Sequence, residues 1–188
     1  IQVVIIPIQQ HKDGVLDAAR SLADTLRAAG IRVKVDDSEQ SPGWKFSEYE
    51  MKGVPLRVEI GPRDIAEGKC VIVRRDNREK SFVQSANIVE EVKAGLEALR
   101  KALFEKAREN RERRTFEAHN LDELKEIAAT KSGYIKAMWC GDLECELKLK
   151  EVADVSSRCM PFDGEAIDTK CVCCGRAAKK LVYWGKAY

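Results

Sequence analysis

Six of the seven cysteines in this 188-residue chain lie within its last 49 positions: Cys140, Cys145, Cys159, Cys171, Cys173 and Cys174. Cys140 and Cys145 are separated by four residues, Cys171 and Cys174 by two, with 25 residues between the pairs. Two short cysteine loops joined by a longer connector match the ligand spacing of a structural zinc site, in which four thiolates form a tetrahedron. Gly175 follows the second pair and gives its turn the backbone freedom to aim both sulfurs at one point. The expected ligands are Cys140, Cys145, Cys171 and Cys174. An alternative stays open, because Cys171 and Cys173 form a C-x-C that also binds metal. Cys159, in the apolar run "RCMPF", and Cys70, in "KCVIVRR", are expected as core residues. A closed four-thiolate site keeps no position for a reacting water, so it is assigned no catalysis.

Clustered cysteine pairs without an export signal point to metal binding in a reducing, cytoplasmic setting rather than to disulfides. The opening "IQVVIIPI" is apolar but too short to span a membrane, and it lacks the flanks of a signal peptide. No membrane partner is expected. The chain opens inside that run without an initiator Met, as a segment of a longer protein would. With a net charge of +2, global electrostatics do not announce a nucleic-acid binder, so any basic footprint must be local.

Hydrophobic periodicity gives the element order. "QVVIIPI" reads as a strand buried on both faces. Leu16, Ala19, Ala23 and Leu26 recur at helical spacing, and Gly30 is placed to end that helix. "IRVKVDD" alternates as a strand, "SPGWKFSEYEMKG" reads as a short helix, "VPLRVEIG" as a strand and "GPRD" as a turn. "KCVIVRR" and "KSFVQ" read as a hairpin. A long helix follows, with Ile88, Val92, Leu96, Leu99, Leu103 and Ala107 on one stripe. This order predicts an α/β unit with a mixed sheet and flanking helices over residues 1–106. Residues 107–120, charged on nearly every side, read as a helical connector. Residues 121–188 read as a small α/β zinc-binding domain, with a helix capped by Asn120, a strand at "GYIKAMWC", a helix at "GDLECELKLKEVA" and strands at "SSRCMPF" and "KKLVYWGKAY".

No phosphate loop, nucleophile–histidine order or H-E-x-x-H motif is present, so no catalytic residue is assigned. His11 and His119 fall in polar contexts and read as surface residues. Polar groups do gather on the helix–strand–turn unit "KFSEYEMKGVPLRVEIGPRD", which carries Phe46, Glu50, Arg57 and Asp64, and Lys80 joins them from the hairpin. An aromatic stacks a base, carboxylates accept from the N1–H and N2–H edge of guanine, and cations take O6, N7 or phosphate. The plainer reading is a set of solvated charges on a sheet surface.

"VVIIPI", "GIRVKVDD", "GWKFSEYEMKGVPLRVEIGPRD" and "RRDNREK", together with "CGDLEC", "RCMPF", "CVCCGR" and the terminal "KAY", run through the whole chain. In these segments it resembles the C-terminal region of prolyl-tRNA synthetase, a class II enzyme. The resemblance implies a mixed five-stranded anticodon-binding fold followed by an α/β zinc domain. It implies the anticodon loop of proline tRNA as partner, with two guanines read at Glu50, Asp64 and Lys80, and Phe46 and Arg57 lining the site. A shift in hairpin register would put Arg78 in the place of Lys80. It implies structural zinc on Cys140, Cys145, Cys171 and Cys174, with Cys159 no ligand. A terminal Tyr188 would fold back towards a catalytic domain. That domain, with its ATP and Mg2+ sites and the main homodimer contact, would precede Ile1, so this chain alone would not ligate proline. Two rival readings are a free-standing accessory RNA-binding protein on the same fold, and a redox or metal-transfer protein built on Cys171–Cys174. The second is disfavoured, because redox C-x-x-C pairs sit at strand-to-helix junctions.

Overall fold

The computed structural model describes residues 1–187 and divides into two compact units, Ile1–Glu105 and Lys106 onward. The expectation for Tyr188 lies outside the described residues.

In the first unit, strand β1 (Val3–Pro7) is buried along its whole length, as its unbroken apolar run predicts. Helix α1 (Val15–Ala28) follows, burying Val15, Ala19, Leu22, Ala23 and Leu26. It ends where Gly30 takes the left-handed conformation, φ 82°. Strand β2 (Val33–Val35), helix α2 (Pro42–Met51) and strand β3 (Leu56–Ile60) come next. The expected turn at "GPRD" is a short helix, α3 (Pro62–Ala66), started by Pro62 and by Gly61 N–H donating to Asp64 Oδ2 at 2.8 Å. The hairpin strands are β4 (Lys69–Arg74) and β5 (Lys80–Gln84), and the long helix is α4 (Ile88–Arg113).

The sheet order is β2-β1-β3-β4-β5, parallel from β2 to β3 and antiparallel from β3 to β5. Its mixed character follows from connection length: helices link the parallel strands, whereas a tight turn links β4 to β5. Val3, Ile5, Leu56, Val58, Cys70 and Ile72 face one side, packed by α1 and by Ile88 and Val92 of α4. Gly95 lets α4 approach closely, since a Cβ there would meet Leu56 Cδ1 at 3.2 Å. On the other side Val4 and Ile6 pack under Tyr49 and Phe46 of α2. That cluster does not extend over β4 and β5.

The second unit holds strand β6 (Thr115–Glu117), helix α5 (Leu121–Thr130), strand β7 (Tyr134–Trp139), helix α6 (Leu143–Ala153), strand β8 (Val155–Cys159) and strand β9 (Lys180–Lys186). The sheet order is β6-β7-β9-β8. Its core gathers Leu124, Ile135, Leu149, Val155, Val182 and Trp184. Asn120 caps α5, with Oδ1 accepting from Glu123 N–H at 3.0 Å. The unit boundary falls inside α4, and the expected connector is only partly helical. Residues 115–117 leave the helix to pair with Tyr134–Lys136 of β7. Periodicity cannot show this, because a three-residue edge strand carries no readable pattern. Cys159 is a further correction: it is exposed, not core. It ends an edge strand whose register shifts between Ser157 and Cys159, so only Val155 of β8 is buried.

Candidate functional site

The polar cluster of the first unit stands on the sheet face that α2 only partly covers. Alternation along β3 sends Leu56, Val58 and Ile60 into the core and Arg57 and Glu59 to the opposite face. Arg57 is the centre. Its Nε donates to Glu59 Oε1 at 2.9 Å and its Nη1 to Glu50 Oε1 at 3.3 Å. The guanidinium lies 3.8 Å from the centroid of the Phe46 ring, a stacked cation–π contact that a lysine could not match. Glu59 takes a second cation, Lys80 Nζ at 3.5 Å, and Glu50 takes Arg78 Nη2 at 3.0 Å.

Phe46, Glu50, Arg57 and Lys80 are thus brought together, joined by Glu59 and Arg78. Both hairpin cations take part, Arg78 on Glu50 and Lys80 on Glu59. Asp64 is not part of this group: among the described residues its contact is the Gly61 amide at the start of α3. Glu59 is the member that sequence reasoning left out. The signal was available, because Glu59 stands two residues from Arg57 and therefore on its face. Arg75 was also missed. It lines a small cleft of about 10 Å³ beside Phe46, Glu50 and Arg57, and its Nε is buried without a hydrogen-bond partner among the described residues.

Arg57 is 12% exposed, Glu50 28% and Arg78 78%. The inner ions are fixed while Arg78 is held only at a solvated tip, where an ion pair is worth little. A carboxylate offers about four lone-pair sites, so Glu50 can bind Arg57 and still accept from a ligand once Arg78 swings away.

In the second unit Cys140 follows β7, Cys145 lies in the first turn of α6, and Cys171 and Cys174 lie in the loop before β9. Their four sulfurs fall within 4.8 Å of one another. Cys140 Sγ is 3.7 Å from Cys145 Sγ and 3.8 Å from Cys174 Sγ. Zinc–sulfur bonds of about 2.3 Å in a tetrahedron require sulfurs about 3.8 Å apart, so the donor set and its spacing fit zinc. Cys173 is outside the group and packs beside both the cysteine cluster and the apolar core.

Cys140 and Cys174 are each followed by a glycine in the left-handed region, Gly141 at φ 90° and Gly175 at φ 71°. Gly175 N–H donates to Cys171 O at 2.9 Å, closing the turn that aims both sulfurs inward. Arg176 ties the two halves together, with Nη2 on Asp142 Oδ2 at 2.6 Å and Nε on Cys174 Sγ at 3.3 Å. That contact draws the Cys174 thiol down to about 6. Burial pushes Cys145 and Cys171 up, and neighbouring sulfurs add to the rise at Cys145. A divalent cation would reverse this balance by holding every sulfur as thiolate. Asp142 and Arg176 were not singled out from sequence, although "CGD" and "CGR" repeat one pattern.

Residues 2–95, half of the chain, match the family model described as Anticodon binding domain. Residues 121–188 match the model described as Prolyl-tRNA synthetase, C-terminal. The chain belongs to the anticodon-binding-domain family, in its prolyl-tRNA synthetase form. It is 57% identical to Proline--tRNA ligase of Clostridium novyi (strain NT), a match covering all of this chain and 39% of that protein. Identity to Proline--tRNA ligase of Lachnospira eligens is 55%, and to Proline--tRNA ligase 2 of Bacillus cereus 54%, each over 100% of this chain and 39% of the relative. The chain therefore spans about two fifths of the length of the synthetases it matches. No helix among the described residues is long and apolar enough to cross a membrane.

Proposed function

We propose that this chain reads the anticodon of proline tRNA and holds a structural zinc ion, within a prolyl-tRNA synthetase that ligates proline to that tRNA in the cytoplasm. The arrangement of Glu50 carries the reading. Its carboxylate is fixed from below by Arg57, is closed above only by the solvated Arg78, and stands beside the Phe46 ring. A carboxylate so placed accepts from the N1–H and N2–H edge that only guanine presents. Arg57 on Phe46 holds the floor of the site, and Lys80 takes O6, N7 or phosphate. Asp64 would serve a second guanine from the start of α3, apart from the Glu50 group. Residues 1–106 would form the anticodon-binding domain and 121–188 the zinc-binding domain.

Zinc bound by Cys140, Cys145, Cys171 and Cys174 would supply folding free energy and no reaction chemistry, since all four positions are filled by protein. ATP and Mg2+ would belong to the part of the synthetase outside this chain, as would the main homodimer contact.

Glu50→Ala is the direct test. In the complete protein it is expected to relax discrimination between a proline tRNA and one with both anticodon guanines replaced by about 1–3 kcal/mol. Equal affinity of the parent protein for the two tRNAs overturns the reading.

A further inference from the structure

Phe82 is 72% exposed on β5, the edge strand of the first sheet. An aromatic in that position leaves apolar surface in water and weakens the protection that edge strands need against pairing with other chains. The sheet register shows what it stands beside. Phe82 lies opposite Val71, which lies opposite Glu59; in the adjacent row Lys80 lies opposite Val73, which lies opposite Arg57. Residues two apart on a strand share a face, so Phe82 shares the face of Lys80 and of the whole Arg57 cluster. Two strand spacings, about 10 Å, separate it from β3.

Apart from the buried Val71 directly opposite, the neighbours of Phe82 are polar or cationic. Lys80 and Gln84 flank Phe82 along its own strand, and Lys69 stands diagonally across on β4. Lys80 is half exposed, and Lys69 is held by a single exposed pair with Glu67 at 3.0 Å, which a phosphate would readily displace. A flat ring between two ammonium groups is the combination that binds single-stranded nucleic acid: the ring stacks a base and the cations follow the backbone. A hydrophobic protein partner would require a wider apolar patch than one ring.

We propose that Phe82 is a stacking platform for an unpaired nucleobase next to the guanines read at Glu50, with Lys80 and Lys69 on the phosphates between them. This rests on the anticodon reading above and extends it along the same sheet face.

The test is tRNA affinity of the complete protein with Phe82→Leu and Phe82→Tyr. Leucine keeps an apolar side chain but removes the π face. Phe82→Leu is expected to weaken binding about ten-fold, and Phe82→Tyr to stay within about two-fold of the parent. An abasic nucleotide beside the guanines should cost the parent about ten-fold and cost Phe82→Leu nothing further, since the stacking partner is already gone. Unchanged affinity of Phe82→Leu overturns the platform, as does a loss that adds in full to the abasic loss. Self-association that disappears in Phe82→Leu while tRNA affinity holds would assign Phe82 to a protein contact and also overturn it. Glu50→Ala separates the two claims. If it relaxes guanine discrimination while Phe82→Leu is silent, only the platform fails; if it too is silent, the anticodon reading has failed.

Discussion

Lys45 shows how one residue fixes the approach to the site. It is 2% exposed, in the middle of α2, and its Nζ donates to Asp36 O at 2.9 Å and Gln10 Oε1 at 3.1 Å. The Asp36 carboxylate lies 3.8 Å away and is itself buried. Burial alone would raise the Asp36 pKa. Hydrogen bonds from Ser38 and the charge of Lys45 outweigh it and hold the group below its ordinary 3.8. A carboxylate depressed in the folded state contributes stability that is present above the unfolded value and lost as pH falls through the folded one. Stability of the first unit is therefore expected to decline below about pH 4, where unfolded Asp36 begins to take up a proton. Lys45→Met removes one partner of a buried pair and should cost about 3 kcal/mol at neutral pH. That deficit should narrow in acid, because a protonated Asp36 no longer needs a cation. Chemical denaturation of parent and variant across pH 3–7 measures both effects, and a pH-independent deficit would show that lost packing, not charge, is responsible.

At the scale of elements, Gly133 decides whether β6 and β7 can pair. Its φ is 144°, and a Cβ at this position would stand 2.0 Å from Arg114 O. Tyr134 N–H donates to that same carbonyl at 2.8 Å, so the clash falls on the bond that sets the strand register. Gly133→Ala should destabilise the second unit by about 2–3 kcal/mol and speed amide exchange in residues 115–117 and 134–136, leaving β1 and β3 protected. Pairing of this kind marks the limit of what the sequence discloses. Elements with long runs were legible: β1 as a continuous apolar strand, α1 and α4 by their stripes, α5 by Asn120 with Glu123 three residues on, and β3 by the alternation that also turned Arg57 outward. The lost ones were short or lay at edges. Thr115–Glu117 is three residues long, α3 hides in a Gly-Pro turn, and Cys159 sits at the exposed end of an edge strand. The site divides the same way. Residue chemistry on α2 and β3 marked Phe46, Glu50 and Arg57, and alternation along β3 also offered Glu59, but only the register across β4 and β5 shows that Phe82 belongs to the same face.

At the scale of the whole molecule, the two sets of candidate residues rest on separate cores. The Glu50 group is built from α2, β3 and the β4–β5 hairpin, all within Ile1–Glu105, over apolar clusters that include none of the four grouped cysteines. The cysteine group is built from β7, α6 and the loop before β9, and Trp139 packs against both the sulfur cluster and the core around Trp184. Structural zinc in small cysteine sites contributes about 10–16 kcal/mol, as much as the whole stability of a typical domain. Removing the proposed ion should therefore be felt throughout the second unit and not in the first. With a high-affinity chelator, amide protection is expected to fall in β7, α6 and β9 and to persist in β1, β3 and β4. Cys174→Ser should lose stoichiometric metal, and Cys173→Ser should keep it, because Cys173 stands outside the group of four sulfurs within 4.8 Å of one another. The functional consequence separates the two roles. Chelated protein should keep the proposed preference for adjacent guanines, since the Glu50 group and the proposed zinc site are built on different units. Loss of that preference on chelation would mean that the zinc unit takes part in reading the tRNA, and the division of labour drawn from the two cores would be wrong.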